Sequence, residues 1–291
     1  MEFQALQEEL RRMGDAARGL AALGVALGLR QGKVTVHPDV DARLADVVGA
    51  LLPRGLDGLD RDQTAAALGL VTFALEEARD LFERPDRPPA WKVRDAAMLQ
   101  AQGHASRAVV HRLIALAAER PALAAALEGR FLDVGTGVAA LALEAAAQRP
   151  SLSVVGIDIW EPALALARTN VAASPHSARI DVRAQDVTTL TDVAAYTLAW
   201  LPAPFLTRPI AEAALDRLVV ALAPAGYLAV GLYLPPADAV SAALAALRLT
   251  RSGGHVWQSA EMEAELGLRD FCAVETCPDP PGVTFILGRR G

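Results

Sequence analysis

The hydrophobic and polar residues follow two different patterns along the chain. Up to about residue 127, apolar residues recur at intervals of three and four, as in "DAARGLAALGVALGL" (15–29) and "ASRAVVHRLIALAAE" (105–119). This spacing predicts a series of amphipathic helices. Glycine and proline mark the expected breaks between them, at Gln31-Gly32, at Pro53-Arg54-Gly55 and at Pro85 to Pro89.

After residue 128 short apolar runs alternate with helical stretches. Such alternation predicts parallel strands joined by right-handed helical crossovers, with helices on both faces of the sheet. The last two runs are joined by the turn-rich "TCPDPPG", which predicts an antiparallel hairpin at one edge. The sequence thus predicts a Rossmann-like α/β sheet of seven strands preceded by an all-helical region. The predicted strands are Arg130–Val134, Leu152–Ile157, Arg179–Ala184, Tyr196–Leu201, Gly226–Tyr233, Phe271–Glu275 and Val283–Leu287.

Composition and charge narrow the class of protein. The net charge is −6 and basic residues form no run, which argues against a protein that grips a nucleic-acid backbone. The uncharged stretch between Arg217 and Asp238 has the length of a membrane span, but Pro224 and Gly226 divide it into two elements. The amino-terminal residues are charged and offer no signal-peptide core, so we expect a cytoplasmic protein without membrane association.

Cysteine and histidine give no sign of a metal centre. The chain has two cysteines, Cys272 and Cys277, in one segment without a histidine nearby. Neither a disulfide framework nor a zinc site follows from this arrangement, and we predict no metal.

The stretch "FLDVGTGVAALALEAAA" (131–147) places a carboxylate and two glycines where a strand passes into a helix. In open α/β sheets, ligands bind beyond the carboxyl ends of the strands. Gly135 and Gly137 remove side chains where a ligand must approach the backbone, and the following helix directs free N–H groups toward it. Asp133 and Thr136 add polar atoms to the same loop.

Two more acids follow the next two strands. Asp158 lies in "SVVGIDIW", directly after the predicted second strand and at the distance from the glycines where a carboxylate can accept both hydroxyls of a ribose. Asp186 follows the third strand in "AQDV", where it can accept an N–H from an adenine amino group. Each acid alone could be a solvated loop residue or a helix cap. Three acids at successive strand ends, however, indicate one nucleoside site.

These stretches, with "VVGIDIWEPALALARTN", "IDVRAQDV" and "LVVALAPAGYLAVGLY", resemble the successive motifs of class I S-adenosylmethionine-dependent methyltransferases. The resemblance covers residues 128–291. It implies S-adenosylmethionine as cofactor and S-adenosylhomocysteine as product, with Gly135 and Gly137 against the methionine part and Asp133 near its amino group. Asp158 then binds the ribose. The remaining members of the implied cofactor set are Thr136, Ile159, Gln185, Asp186, Val187 and Trp200.

The sequence departs from the family pattern at two positions. The third small residue of the loop is Ala139 here, which is a mild change, and Thr197 stands where many members begin the fourth strand with aspartate. An Asn/Asp-Pro-Pro-Tyr element is also missing, which disfavours planar amide or amine nitrogens of nucleic acids and proteins as acceptors. The apolar strand end at 200–205 favours a small organic, largely apolar or aromatic acceptor.

Candidates for a general base and for the acceptor wall lie outside these motifs. His104, expected at a helix start beside Gly103, and His255, in a loop after the fifth strand, are the candidate catalytic bases. The predicted acceptor-binding residues are Trp91, Met98, Gln102, Arg107, Phe205 and Trp257. For each tryptophan the competing interpretation is ordinary core packing.

By analogy with small-molecule methyltransferases, residues 1–127 are expected to cap the substrate and to form a homodimer, and residues 128–291 to bind the cofactor. The composition suggests bacterial secondary metabolism. Two other functions stay open: an NAD(P)-dependent oxidoreductase on the same sheet, and a protein that binds the cofactor without methyl transfer.

Overall fold

The computed structural model describes residues 3–277 and 283–291 and divides the chain into two compact units. The first unit ends at Arg87 and the second begins at Pro88. This division falls earlier than the boundary predicted at 127/128. The reason lies in packing, because Val110 and Leu123 of the later helices share a hydrophobic core with Phe131 of the first strand.

The first unit consists of helices α1 (Phe3–Arg30), α2 (Pro38–Leu51) and α3 (Arg61–Glu83). Helix α3 begins with a capping box, in which Asp60 accepts from the Gln63 backbone and the Gln63 side chain accepts from the Asp60 backbone. Helices α1 and α3 approach closely at Gly24, where an added Cβ would lie 2.9 Å from Val71 Cγ1.

The second unit begins with an extended segment and two helices, α4 (Ala96–Ala117) and α5 (Pro121–Ala126). Asp95 caps α4 by accepting a 2.8 Å hydrogen bond from the Met98 N–H. Helix α4 packs on the first helix of the α/β region, so it covers one face of the sheet.

Seven strands form one sheet in the order β3-β2-β1-β4-β5-β7-β6. The first five are parallel, whereas β7 pairs antiparallel with both β5 and β6. The strands are β1 (Arg130–Val134), β2 (Ser153–Asp158), β3 (Ile180–Ala184), β4 (Tyr196–Pro202), β5 (Leu222–Tyr233), β6 (Phe271–Cys277) and β7 (Val283–Arg290). The helices that follow α5 are α6 (Ala140–Gln148), α7 (Glu161–Ala172), α8 (Arg208–Ala221), α9 (Ala239–Arg251) and α10 (Ser259–Gly267).

The predicted α/β fold with an edge hairpin is confirmed, and two helices were missed. Helices α9 and α10 lie between β5 and β6, where only a loop was expected around residue 255. The long uncharged stretch divides as predicted between a helix and a strand, although β5 already begins at Leu222. Among the described helices, none combines the length and the apolar character needed to cross a membrane.

Candidate active site

The loop between β1 and α6 has the conformation that its glycines allow. Gly135 and Gly137 have φ values of 68° and 57°, in the left-handed region that glycine adopts without steric cost. The N–H groups of Gly135 and Thr136 both donate to the Ile157 carbonyl, at 2.8 and 3.0 Å, which fixes the loop to β2. An added Cβ at Gly137 would come no closer than 4.0 Å to the nearest atom, the Gly135 carbonyl oxygen. The backbone here is therefore open to a ligand.

Asp133 is buried beneath this loop, at the last-but-one position of β1. Its side chain is 1% exposed and accepts a 2.7 Å hydrogen bond from Thr136 Oγ1. Burial raises the pKa of Asp133 to about 7; the Thr136 hydrogen bond opposes the rise, and the nearby Asp158 charge adds to it. Gly156 leaves room for this pair, since an added Cβ would lie 2.5 Å from Thr136 Oγ1.

Asp158 connects the ends of β1 and β2. Its Oδ2 accepts from the Gly137 N–H and its Oδ1 from the Trp160 N–H, both at 2.8 Å. Each carboxylate oxygen has a second lone pair, so the side chain can also accept from two neighbouring hydroxyls. This geometry suits a ribose, whose two hydroxyls are adjacent.

The end of β3 lies next to that of β2. The Gln185 N–H donates to the Asp158 carbonyl at 2.9 Å, and Asp186 Oδ1 accepts from both the N–H and the Oγ1 of Thr188 at 2.8 Å. Asp186 is thus exposed and caps a short 3-10 turn, which agrees with the alternative interpretation of this acid as a helix cap. Val187 is buried and Ile159 is 72% exposed. The three acids lie at adjacent strand ends, and their roles stay predictions.

On the other side of β1, the structure brings three predicted residues together near the end of β4. The rings of Trp91 and Phe205 meet edge to face with centroids 5.8 Å apart. The backbone N–H of His255 donates to the Pro204 carbonyl at 3.1 Å, which places this histidine beside the turn that contains Phe205. His255 Nε2 is buried and has no hydrogen-bond partner among the described residues.

Two tryptophans lie in the core instead. Trp200 packs against Phe285 at 5.2 Å, and an added Cβ at Gly231 would lie 2.3 Å from its ring. Trp257 is 4% exposed beneath the Arg208 guanidinium, which lies 5.1 Å from the ring centroid. Both positions correct the prediction of ligand contact, because the surrounding protein atoms already cover the rings.

Helix α4 begins earlier than predicted and changes the setting of its candidate residues. His104 was expected at a helix start but lies in the middle of α4, where it is exposed together with Gln102. Met98 and Arg107 are half-buried. The contact with the glycine loop is made by Gly103, where an added Cβ would lie 2.2 Å from Val138 Cγ2.

Thr197, the departure at the fourth strand, lies away from this site. It is at the amino end of β4, where its Oγ1 donates to the Ala126 carbonyl at 2.7 Å and accepts from the Arg130 N–H at 2.9 Å. The threonine therefore joins α5 and β1 at the opposite edge of the sheet. Its presence leaves the candidate site unchanged.

Trp160 is a residue of the site that was not among the predicted ones. Trp160 follows Asp158 closely, and its indole Nε1–H donates to the Val93 carbonyl at 2.7 Å. The signal was present in "DIWEP", where a large aromatic residue comes directly after the second strand.

Comparisons with known proteins agree with this geometry. Residues 131–226 match the family model described as a methyltransferase domain. A ubiquinone/menaquinone biosynthesis C-methyltransferase of Geobacter sulfurreducens is 51% identical over 53 residues, which are 18% of this chain. The matched part is 21% of that relative, so the chain spans about a fifth of its length.

Several solved structures resemble the chain over nearly its whole length, and two of them illustrate the likeness. An O-methyltransferase family protein from Burkholderia thailandensis has a TM-score of 0.71 at 14% identity, with 97% of each chain covered. Human N-acetylserotonin methyltransferase, solved in complex with S-adenosylmethionine, has a TM-score of 0.72 at 15% identity over 100% of this chain and 99% of that one. At such identities the likeness concerns the fold.

Proposed function

We propose that this chain is a class I S-adenosylmethionine-dependent methyltransferase and that it transfers a methyl group from S-adenosylmethionine to a small organic acceptor; its matched domain and its fold support the proposal. The observation that carries the proposal is the hydrogen-bonded connection of the glycine loop to Asp158, at the end of the strand next to β1.

The residues at the strand ends fit this cofactor. Asp158 would accept hydrogen bonds from the ribose hydroxyls, and the open backbone at Gly135 and Gly137 leaves space for the methionine part. Asp133 and Asp186 would lie near its amino group and its adenine. When bound, the cofactor supplies a methyl group on a positively charged sulfonium, which is already activated for transfer.

The protein's own contribution is then orientation and the exclusion of water. An acceptor held in line with the sulfonium–methyl bond reacts faster because its translational and rotational entropy is already lost, an effect of several kcal/mol. Trp91 and Phe205 support such positioning, because their rings form an apolar wall beside the end of β4. They favour an aromatic or apolar acceptor.

Cofactor choice can be tested directly by thermal shift with S-adenosylmethionine and NAD(H) side by side. We expect stabilisation by S-adenosylmethionine and S-adenosylhomocysteine only; stabilisation by NAD(H) alone would mean an oxidoreductase. Incubation with methyl-labelled cofactor and a panel of hydroxylated and unsubstituted aromatic compounds then tests methyl transfer. Cofactor binding without any labelled product across the panel would favour the non-methylating alternative.

His255 and His104 differ in their position, so substitutions at the two histidines can show which of them acts as a general base. His255 lies beside the aromatic wall, whereas His104 is on an exposed part of α4. For a hydroxyl acceptor we expect His255→Ala to lower kcat by about tenfold or more, and His104→Ala to leave it within about twofold. Turnover of the active acceptor from the labelling panel is the measurement. If neither variant is slower, neither His255 nor His104 is the general base.

The broader predictions from the sequence are part of this proposal. They include substrate capping and homodimer formation by the helical region at 1–127, a cytoplasmic location, and a role in secondary metabolism. The contact between Gly103 of α4 and Val138 supports a capping role for the end of that region.

A further inference from the structure

An extended segment, Pro88–Asp95, crosses the site and is here called the strap. At its start, the Ala90 N–H donates to the Arg251 carbonyl at 3.1 Å, and Trp91 contacts Phe205. Near its end, the Val93 carbonyl accepts the hydrogen bond from the Trp160 indole. The strap is thus attached beside β4 at one end and beside β2 at the other.

The strand order fixes what the strap passes. Because β1 lies between β2 and β4, a segment that joins the ends of those two strands crosses the carboxyl end of β1. That end carries the glycine loop. Val93 and Trp160 also pack against the small core cluster that contains Leu99 and Val138. The strap, the glycine loop and α4 therefore share one set of contacts.

Trp160 contacts both Asp158 and the strap. Its backbone N–H donates to Asp158 Oδ1, the acid assigned to the ribose, while its side chain donates to the strap. The guanidinium of Arg94 lies 5.0 Å from the centroid of the same ring, so a second strap residue also holds the indole. A ligand that immobilises Asp158 would thereby immobilise the attachment point of the strap.

We infer that Trp160 is a positioning residue that couples the occupied ribose site to the strap, and through the strap to the acceptor wall formed by Trp91 and Phe205. The inference rests on the proposed function, since it takes Asp158 as the ribose ligand. It assigns Trp160 a part in seating the acceptor after the cofactor has bound. Cofactor binding would thus strengthen acceptor binding, and the cofactor site and the acceptor wall would be coupled without a change of fold.

Limited trypsin digestion of the full chain tests the coupling, because Lys92 and Arg94 are exposed cleavage points within the strap. In the wild type, S-adenosylhomocysteine should slow cleavage after these residues by about tenfold, since cleavage follows the population of the detached strap. In Trp160→Phe, which keeps a ring but loses the N–H, we expect this protection to fall below about twofold. Calorimetry should show that S-adenosylhomocysteine still binds this variant, with an affinity lower by at most about tenfold, because the coupling is reciprocal and both backbone donors to Asp158 remain.

The matched control is Trp257→Phe. It also removes an indole N–H, but Trp257 Nε1 has no hydrogen-bond partner among the described residues, so protection by S-adenosylhomocysteine should equal that of the wild type. Equal protection in Trp160→Phe and wild type, with S-adenosylhomocysteine bound to both, would overturn the inference alone. Failure of the wild type to bind S-adenosylhomocysteine would overturn the proposed function and the inference together. If Trp160→Phe does not fold, unprotected cleavage in the ligand-bound wild type still overturns the coupling.

Discussion

Asp158 is the residue on which cofactor affinity should depend most. Replacing it with alanine removes the acceptor for the ribose and releases the Gly137 N–H of the glycine loop. We expect Asp158→Ala to weaken the binding of S-adenosylhomocysteine by about 2–4 kcal/mol, which is about 30- to 1,000-fold in Kd. Isothermal titration calorimetry gives the value directly.

The control for this variant is Asp181→Ala on the neighbouring strand β3. It removes the same charge, but from an exposed side chain that pairs with Arg183 rather than from a strand end. Its effect on affinity should be within about twofold, as for most surface substitutions. Equal losses in the two variants would attribute the effect to net charge and remove Asp158 from the ribose site.

Asp133 should make stability depend on pH in a way opposite to that of most carboxylates. Its pKa rises to about 7 in the fold from 3.8, so the folded protein holds a proton that the unfolded chain releases. The associated stability is present below pH 3.8 and is lost as the pH rises to about 7; the shift corresponds to at most about 4 kcal/mol. Asp133→Asn resembles the protonated state and should lose this dependence.

The measurement is chemical denaturation of wild type and Asp133→Asn between pH 5 and 8.5. The free energies of unfolding should diverge with pH, with the variant the more stable protein at pH 8. Parallel curves would show that the carboxylate is ionised throughout, and that the pair with Thr136 outweighs the cost of burial.

At the level of elements, the approach of α4 to the glycine loop requires a glycine. An added methyl group at Gly103 would lie 2.2 Å from Val138 Cγ2, so Gly103→Ala forces the helix and the loop apart. We expect a loss of about 1–3 kcal/mol in the free energy of unfolding, the usual cost of overpacking. Cofactor affinity should fall as well, because Val138 follows Gly137 directly.

Gly69→Ala is the matched control within α3. Nothing lies within 4 Å of the added methyl group there, so only the helix propensity changes and the variant should gain about 0.5–1 kcal/mol. Thermal and denaturant unfolding of both variants test the pair. A neutral or stabilising Gly103→Ala would show that α4 is free to move away from the loop.

The elements also show how far the sequence could be read. The strands were predictable because buried parallel strands are continuous apolar runs. The acids near the carboxyl ends of β1, β2 and β3 then follow from the topology that these strands define. Helices α9 and α10 were missed where the pattern after β5 was interpreted as a loop. The strap could not be predicted, since an extended segment has no periodicity and its course depends on single long-range contacts such as Trp160 to Val93.

The same limit explains the two misplaced tryptophans. Trp200 and Trp257 follow apolar or glycine-rich stretches that could lie in a core or beside a ligand. Only the tertiary contacts with Phe285 and Arg208 distinguish the two cases.

For the whole molecule, the first half of α1 carries an exposed apolar stripe. Phe3, Leu6, Leu10 and Met13 recur at intervals of three and four on one side of the helix, and each is between 37% and 72% exposed. Spacing of this kind is typical of a helix that packs against another helix. The proposed homodimer would bury this stripe against a second copy.

Leu10→Glu should therefore shift the oligomeric state. A charge in the middle of an apolar interface is costly to bury, so we expect the dimer dissociation constant to rise by at least about tenfold. Gln4→Glu adds the same charge to another side of α1, outside the stripe, and should leave the dimer intact. Sedimentation velocity over a range of concentrations compares the two. A monomeric wild type, or equal dissociation in both variants, would contradict a dimer through α1. The stripe would then be expected to pack against another partner, because removing apolar side chains from water is favourable.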